Sequence, residues 1–278
     1  MLPLISVIVP CYNHGKYLTG AIASAKALSK IVACEIIIVD DGSTDVSTIA
    51  YLDELKSDSS VTVLFQENKG PSAARNNGIK RATGRYILPL DADNRINPEA
   101  FARASSILNA QPEIAIIYGD QARIGAVNEI IQPGPFNLQR LMLANYIDVC
   151  ALFRREVWEV TGGYDERFRH GLEDWEFWLH AAFKGFKFHY EPEVQYDYTV
   201  LPASRTEKLI GSKSRQDAIQ ALLIAKHPSF YGPQFVDADL LQKLRKSLVG
   251  FAGKLILMAY LPRQFQKLVN KGRLRQHL

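Results

Sequence analysis

The segment "YILPLDADNRI" (86–96) is an apolar run that stops at two carboxylates one residue apart, Asp91 and Asp93. In extended backbone, residues i and i+2 point to the same side. The pair therefore converges on one spot and repels unless a cation sits there. Carboxylate oxygens suit hard divalent cations such as Mg2+ or Mn2+, which take few protein ligands and complete their shell with phosphate oxygens and water. A second acidic pair, Asp40 and Asp41, closes "EIIIVDDGSTD" (35–45). A third, Glu173 and Asp174, opens "LEDWEFWLHAAFKGF" (172–186), ahead of aromatic and aliphatic residues at helical spacing. A carboxylate there can work as a general base if acidic neighbours and buried tryptophan raise its pKa. Each pair also has a plainer explanation. Asp91 and Asp93 fit a solvated turn, Asp40, Asp41 and Asp45 fit turn and cap chemistry, and Glu173 and Asp174 fit the positive end of a helix dipole.

The elements that must position these groups alternate in type. β-branched apolar runs at 5–9, 35–40, 61–65, 85–90 and 114–119 predict strands buried on both faces, with helical patterns near 16–29, 45–56, 71–82 and 98–110 between them. That rhythm predicts an α/β fold with a mostly parallel central sheet flanked by helices. Ligands of such sheets lie at the carboxyl ends of the strands. Four consecutive ends carry PCYN (10–13), DDGSTD (40–45), NKGPSAARNNG (68–78) and DADN (91–94). Four polar ends in register predict a binding crevice, with Arg75 in the first turns of a helix opened by Gly70 and Pro71.

Composition narrows the class. The 278 residues are 47% apolar and 22% charged, an ordinary soluble balance with room for one large domain or two small ones. Cys11, Cys34 and Cys150 are too few and scattered for a disulfide framework or zinc cage, which points to a reducing compartment. His14, His170 and His180 have no ligand spacing. The start, MLPLISVIVP, lacks a basic leader region and a small-residue cleavage site, so a cytoplasmic chain is expected. The stretch 248–261 is apolar but too short to span a bilayer. The net charge of +4 is polarised: residues 240–278 hold nine Lys/Arg and no Asp or Glu. Within them Leu241, Leu244, Leu248, Phe251, Leu255 and Met258 form an apolar helical stripe. This helix either packs on protein, its own domain or a second copy, or lies peripherally on an anionic membrane through 240–261. No nucleic acid is expected as a partner. The first strand is followed by neither the G-x-G-x-x-G of a nicotinamide oxidoreductase nor the basic glycine-rich loop of a nucleotidyltransferase.

Four blocks, "VIVPCYN", "IIIVDDGSTD", "GPSAARNNGIKRATGRYILPLDADN" and "TGGYDERF…EDWEFW", occur in an order and spacing that resemble the family-two inverting glycosyltransferases of the GT-A fold, over residues 4–206. The resemblance implies a transferase domain at 1–206, with a nucleotide half to about 95 and an acceptor half beyond it, followed by a basic helical extension at 207–278. It implies sugar transfer with inversion from a nucleoside-diphosphate sugar, UDP being the expected nucleotide, to a saccharide or lipid-linked acceptor, with Mn2+ or Mg2+. Pro10, Tyr12, Asp40 and Asp41 would hold the base, Arg75 the nucleotide, and Arg205 the diphosphate. Asp91 would face ribose or metal and Asp93 the metal. Asp174 would be the catalytic base beside Glu173, with Trp175 and Trp178 lining the acceptor. Two departures stand out: Leu201 replaces a frequent metal-ligand histidine, and Asn94 a frequent aspartate. The rival classes are a nucleotidyltransferase and a non-catalytic nucleotide-sugar-binding or assembly protein.

Overall fold

The structure is a computed structural model that describes residues 4–169, 171–201 and 212–228. The expectations for Arg205, His170 and the stripe at 241–258 lie outside those residues. The chain divides into two compact units, Met1–Ser212 and Lys213–Leu278. The described part of the second is a helix at Lys213–Lys226.

The first unit is built on strands β1 (Ile5–Cys11), β2 (Cys34–Asp40), β3 (Thr62–Phe65), β4 (Tyr86–Pro89), β5 (Arg95–Ile96), β6 (Ile114–Gly125), β7 (Glu129–Ile131), β8 (Leu152–Arg154) and β9 (Lys187–Val200). Its helices are α1 (Gly15–Ser29), α2 (Val46–Leu55), α3 (Pro71–Arg81), α4 (Pro98–Ala110), α5 (Leu138–Leu143), α6 (Arg155–Thr161) and α7 (Glu173–Phe183). The strand order is β3-β2-β1-β4-β8-β6-β9-β5, with β7 paired to β6. The first four strands are parallel. Beyond β4 the sheet is mixed: β8 runs antiparallel to β4 and β6, while β6 and β9 are parallel along most of their length.

Sequence explains the regular half. Ile5, Val7, Val9, Ile36 and Ile38 face one side of the sheet and pack on Leu18, Ile22, Ala25 and Leu28 of α1. On the other side α3 sits close, because a Cβ on Gly78 would lie 2.6 Å from Ile8 Cγ2. The starts of α2 and α4 carry side-chain caps. Asp45 caps α2 through Thr48 N (2.8 Å), and Asn97 precedes Pro98 at the start of α4. One expectation fails: β3 is not buried on both faces. It ends the sheet, its outer residues Thr62 and Phe65 exposed, and an edge strand has a neighbour on one side only.

Candidate active site

The carboxyl ends of β1, β2, β3 and β4 share one rim, as the parallel pairing requires. Pro10 and Tyr12 stand at the end of β1, with the Tyr12 ring about half exposed. Asn13 follows in the left-handed region (φ 55°). Its amide oxygen accepts from the N–H groups of Thr44 and Asp45 at 2.8 and 2.9 Å, which ties the turn after β1 to the turn after β2.

Asp40 and Asp41 are both buried. Asp40 accepts from Ser43 N at 3.2 Å. Asp41 takes three donors at 2.8 Å: Gln66 Nε2 and Lys69 N on Oδ1, and Gly70 N on Oδ2. Asp41 therefore fixes the loop between β3 and α3. Gly70, with φ 89°, makes the turn into Pro71 that a side chain would strain.

Arg75 is fully buried on α3, and its guanidinium joins two acidic blocks. Nη2 donates to Asp91 Oδ1 and Nη1 to Glu173 Oε1, each at 2.7 Å. The Tyr164 ring lies 5.6 Å from the same group. Burial alone would lower the Arg75 pKa, but Asp91 and Glu173 more than offset it and the net direction is upward. Both Nη atoms of Arg75 are engaged by carboxylates, so the expected help in positioning the nucleotide would run through Asp91 on the rim. Glu173, also buried, is its counter-ion and not an exposed acid or base.

The turn 91–94 is held by β9. Asn94 Oδ1 accepts from Thr199 N at 3.0 Å, and the Thr199 hydroxyl donates to Asp93 O. Asn94, noted in the sequence as a lost ligand, is thus a buried tie that sets the direction of Asp93. Asp91 keeps partial exposure on the rim.

Asp174 lies in the first turn of α7, next to Glu173 and partly exposed. Burial, then Glu173, then Asp148 push its carboxyl up from 3.8 to about 7, against the Asn145 amide and the Trp175 N–H, which pull it down. Asp148, in the loop between α5 and β8, is raised to about 6 by burial and by Asp91. The residue that starts α7, Leu172, adopts φ 62°. A non-glycine side chain there costs on the order of 1–2 kcal/mol, so the approach to Asp174 is held under strain by its surroundings.

Among the described residues, no three of His, Cys, Asp and Glu come together as a metal cage. Asp91 and Asp93 stand on a turn closed by Asn94 N–H on Asp91 O at 3.0 Å, not on the extended backbone expected, and one Asp91 oxygen is given to Arg75. Carboxylates so placed are of the type that suits a hard cation with the rest of its shell from phosphate oxygens and water.

The model of Glycosyl transferase family 2 matches residues 6–161, more than half of the chain. This chain is a family 2 glycosyltransferase. It is 26% identical over 176 residues to a chondroitin synthase of Escherichia coli, covering 62% of this chain and 26% of that protein. The chain thus spans about a quarter of that relative's length. Among solved structures, S. aureus TarS 1–349 in complex with UDP-GlcNAc superposes with a TM-score of 0.69 at 20% identity, covering 100% of this chain and 77% of TarS. The mannosyltransferase PcManGT from Pyrobaculum calidifontis, in complex with GDP-Man and Mn2+, gives a TM-score of 0.56 at 17% identity, covering 100% and 89%. These likenesses carry the fold, which is the GT-A arrangement.

Within this glycosyltransferase two anticipated residues fall elsewhere. Trp178 is fully buried among Phe153, Phe177 and Phe188. Trp175 is nearly so, and its indole N–H donates to Leu141 O. Both rings are core, because α7 turns that face inward onto β8 and α5; neither presents a flat face to an acceptor. Sequence reading missed Asn145 and Asp148. They follow the six-residue helix α5, whose sequence LQRLML carries no period long enough to announce an element beside α7.

Proposed function

We propose that this glycosyltransferase moves a hexosyl or N-acetylhexosaminyl group from a UDP-sugar to a saccharide hydroxyl with inversion at the anomeric carbon, and that Asp174 is the base. The observation that carries the reading is the partly exposed Asp174 carboxyl, raised to about 7 and linked through Glu173 and Arg75 to Asp91 on the nucleotide rim. A base poised near neutral pH can accept a proton without being protonated beforehand. As the acceptor O–H gives its proton to Asp174, its oxygen forms the new bond to the anomeric carbon. The bond from that carbon to the diphosphate breaks on the opposite face, and UDP leaves with the electron pair. Tyr12 and the loop fixed by Asp41 shape the place of the base, and Asp40 holds the turn beneath it. Asp93, with Asp91, would hold Mn2+ or Mg2+, which as a Lewis acid stabilises the departing diphosphate. The UDP-GlcNAc complex of TarS and the chondroitin synthase relative support a UDP-sugar donor and a saccharide acceptor.

The experiment is calorimetric titration with UDP, GDP and dTDP, with and without Mn2+, on wild type and on Asp93→Ala, alongside product analysis of Asp174→Asn. UDP binding that needs Mn2+ and is lost in Asp93→Ala supports the site. Asp174→Asn should bind UDP as wild type does and lose transfer. Preference for GDP, or an active Asp174→Asn, would overturn the corresponding part.

A further inference from the structure

Asp174 is gripped from a distant loop. α5 ends at Leu143, and the chain beyond it brings Asn145 Nδ2 to Asp174 Oδ2 at 2.8 Å, across 29 residues of sequence. The origin of this loop is tied to the same helix as the base, since Trp175 Nε1 donates to Leu141 O one turn earlier. The other end of the Asn145 amide has a different status: Oδ1 is buried and without a hydrogen-bond partner. A buried polar atom left unsatisfied is uncommon and calls for a reason. The side chain forgoes that bond while its N–H meets the base.

We infer that Asn145 is the positioning residue of Asp174, fixing Oδ2 so that the other carboxylate oxygen faces the acceptor hydroxyl. The inference rests on Asp174 being the base. An amide suits this post in both states of the reaction. The carboxylate accepts the Asn145 N–H before transfer. Once Asp174 has taken the acceptor's proton on its other oxygen, Oδ2 is the carbonyl oxygen of the acid and keeps the same Asn145 N–H. An apolar side chain of similar reach offers no donor in either state. The other charged and titratable groups that face Asp174 are Glu173 on its own turn, Asp148 before β8 and Tyr164 after α6. Arg75 and Asp91 lie against the same Tyr164. Among these neighbours, Asn145 is the side chain that hydrogen-bonds the carboxylate and favours its charged form.

The test uses the full chain with 13C-labelled aspartate, the Asp174 signal being assigned by its loss in Asp174→Asn. Asn145→Leu and Asn145→Ala are titrated by NMR, and UDP release from UDP-GlcNAc to water is followed in parallel. Loss of the N–H should move the Asp174 midpoint upward by about one pH unit. It should cut kcat by about tenfold or more with the donor KM unchanged, as expected when a reacting group is misplaced. Two variants are used so that one poorly folded protein does not decide the matter. An unmoved midpoint in a folded Asn145 variant, with Asp174→Asn inactive, overturns the positioning role alone. An active Asp174→Asn overturns the base reading on which it stands.

Discussion

Arg75→Met separates two accounts of the arginine, because they predict losses of different quantities. If Arg75 served the nucleotide, its removal would weaken UDP binding and leave the fold intact. The structure instead gives it two carboxylates at 2.7 Å, and these differ in solvent access. The Glu173 side chain is 4% exposed and cannot rehydrate, whereas that of Asp91 is 28% exposed and can. The Asp91 arm is therefore discounted towards the ~0–1 kcal/mol of a wet ion pair. The Glu173 arm carries the penalty of a buried carboxylate that loses its arginine, about 3–5 kcal/mol. The net expectation is a loss of about 3–5 kcal/mol by urea unfolding, and a melting temperature about 10 °C lower. Adding Glu173→Gln removes that buried charge, so the double variant should recover a large part of the loss. Protonation of Glu173 in the single variant relieves the penalty, so the deficit of Arg75→Met shrinks as pH falls. A deficit below about 1 kcal/mol, or a double variant no more stable than the single one, would refute the reasoning.

Other outcomes follow from single features. Because the Asp174 carboxyl is raised from 3.8 to about 7, kcat/KM should climb roughly tenfold per pH unit below that point and level above it. The same shift costs stability as pH rises from the ordinary carboxylate range through 7, since the unfolded carboxyl ionises first. Asp174→Asn should therefore raise the melting temperature at pH 8 and leave it nearly unchanged at pH 4. Asp41→Ala frees three donors of the loop at 66–70 and should cost about 2–3 kcal/mol in urea unfolding together with a measurable loss of UDP affinity. Gly78→Ala places a methyl group 2.6 Å from Ile8 Cγ2 and 3.1 Å from Val39 Cγ2. Overpacking at that seam should cost about 1–3 kcal/mol, read as a lower urea midpoint at constant slope.

Legibility in the sequence followed the range of the interactions. β1, β2, β4 and helices α1 to α4 could be read within a residue or two, because their apolar periods and flanking turn residues are local in the sequence. The acidic ends of those strands were legible for the same reason: a parallel sheet places them together whatever the loops do. The second half was harder. β8 has three residues, β5 has two, and α5 has six, too short to show a period. The role of Arg75 depends on Glu173, 98 residues away, and that of Asn145 on Asp174, 29 residues away. No local pattern announces such pairs. The two tryptophans misled because a flat aromatic ring has the same signature in a sugar site and in a core; only the packing of α7 on β8 and α5 decides between them.

The electrostatics of the rim join these observations. Burial first, and then the closeness of Asp91 to Asp148 and of Glu173 and Asp148 to Asp174, lifts the carboxyls of Asp148 and Asp174 to about 6 and about 7. Arg75 is the buried cation among them, and its two N–H ends are bound to Asp91 and Glu173. Its charge is thus spent on holding the acids in place. On the proposed function, a diphosphate approaching this rim would meet like charge, which a cation held by Asp91 and Asp93 would offset. Burial, reinforced by this surplus of carboxylate, holds the Asp174 carboxyl well above the usual carboxylate range. On the proposed function, one arrangement of buried acids around Arg75 would account for both a cation at Asp91 and Asp93 and a base at Asp174.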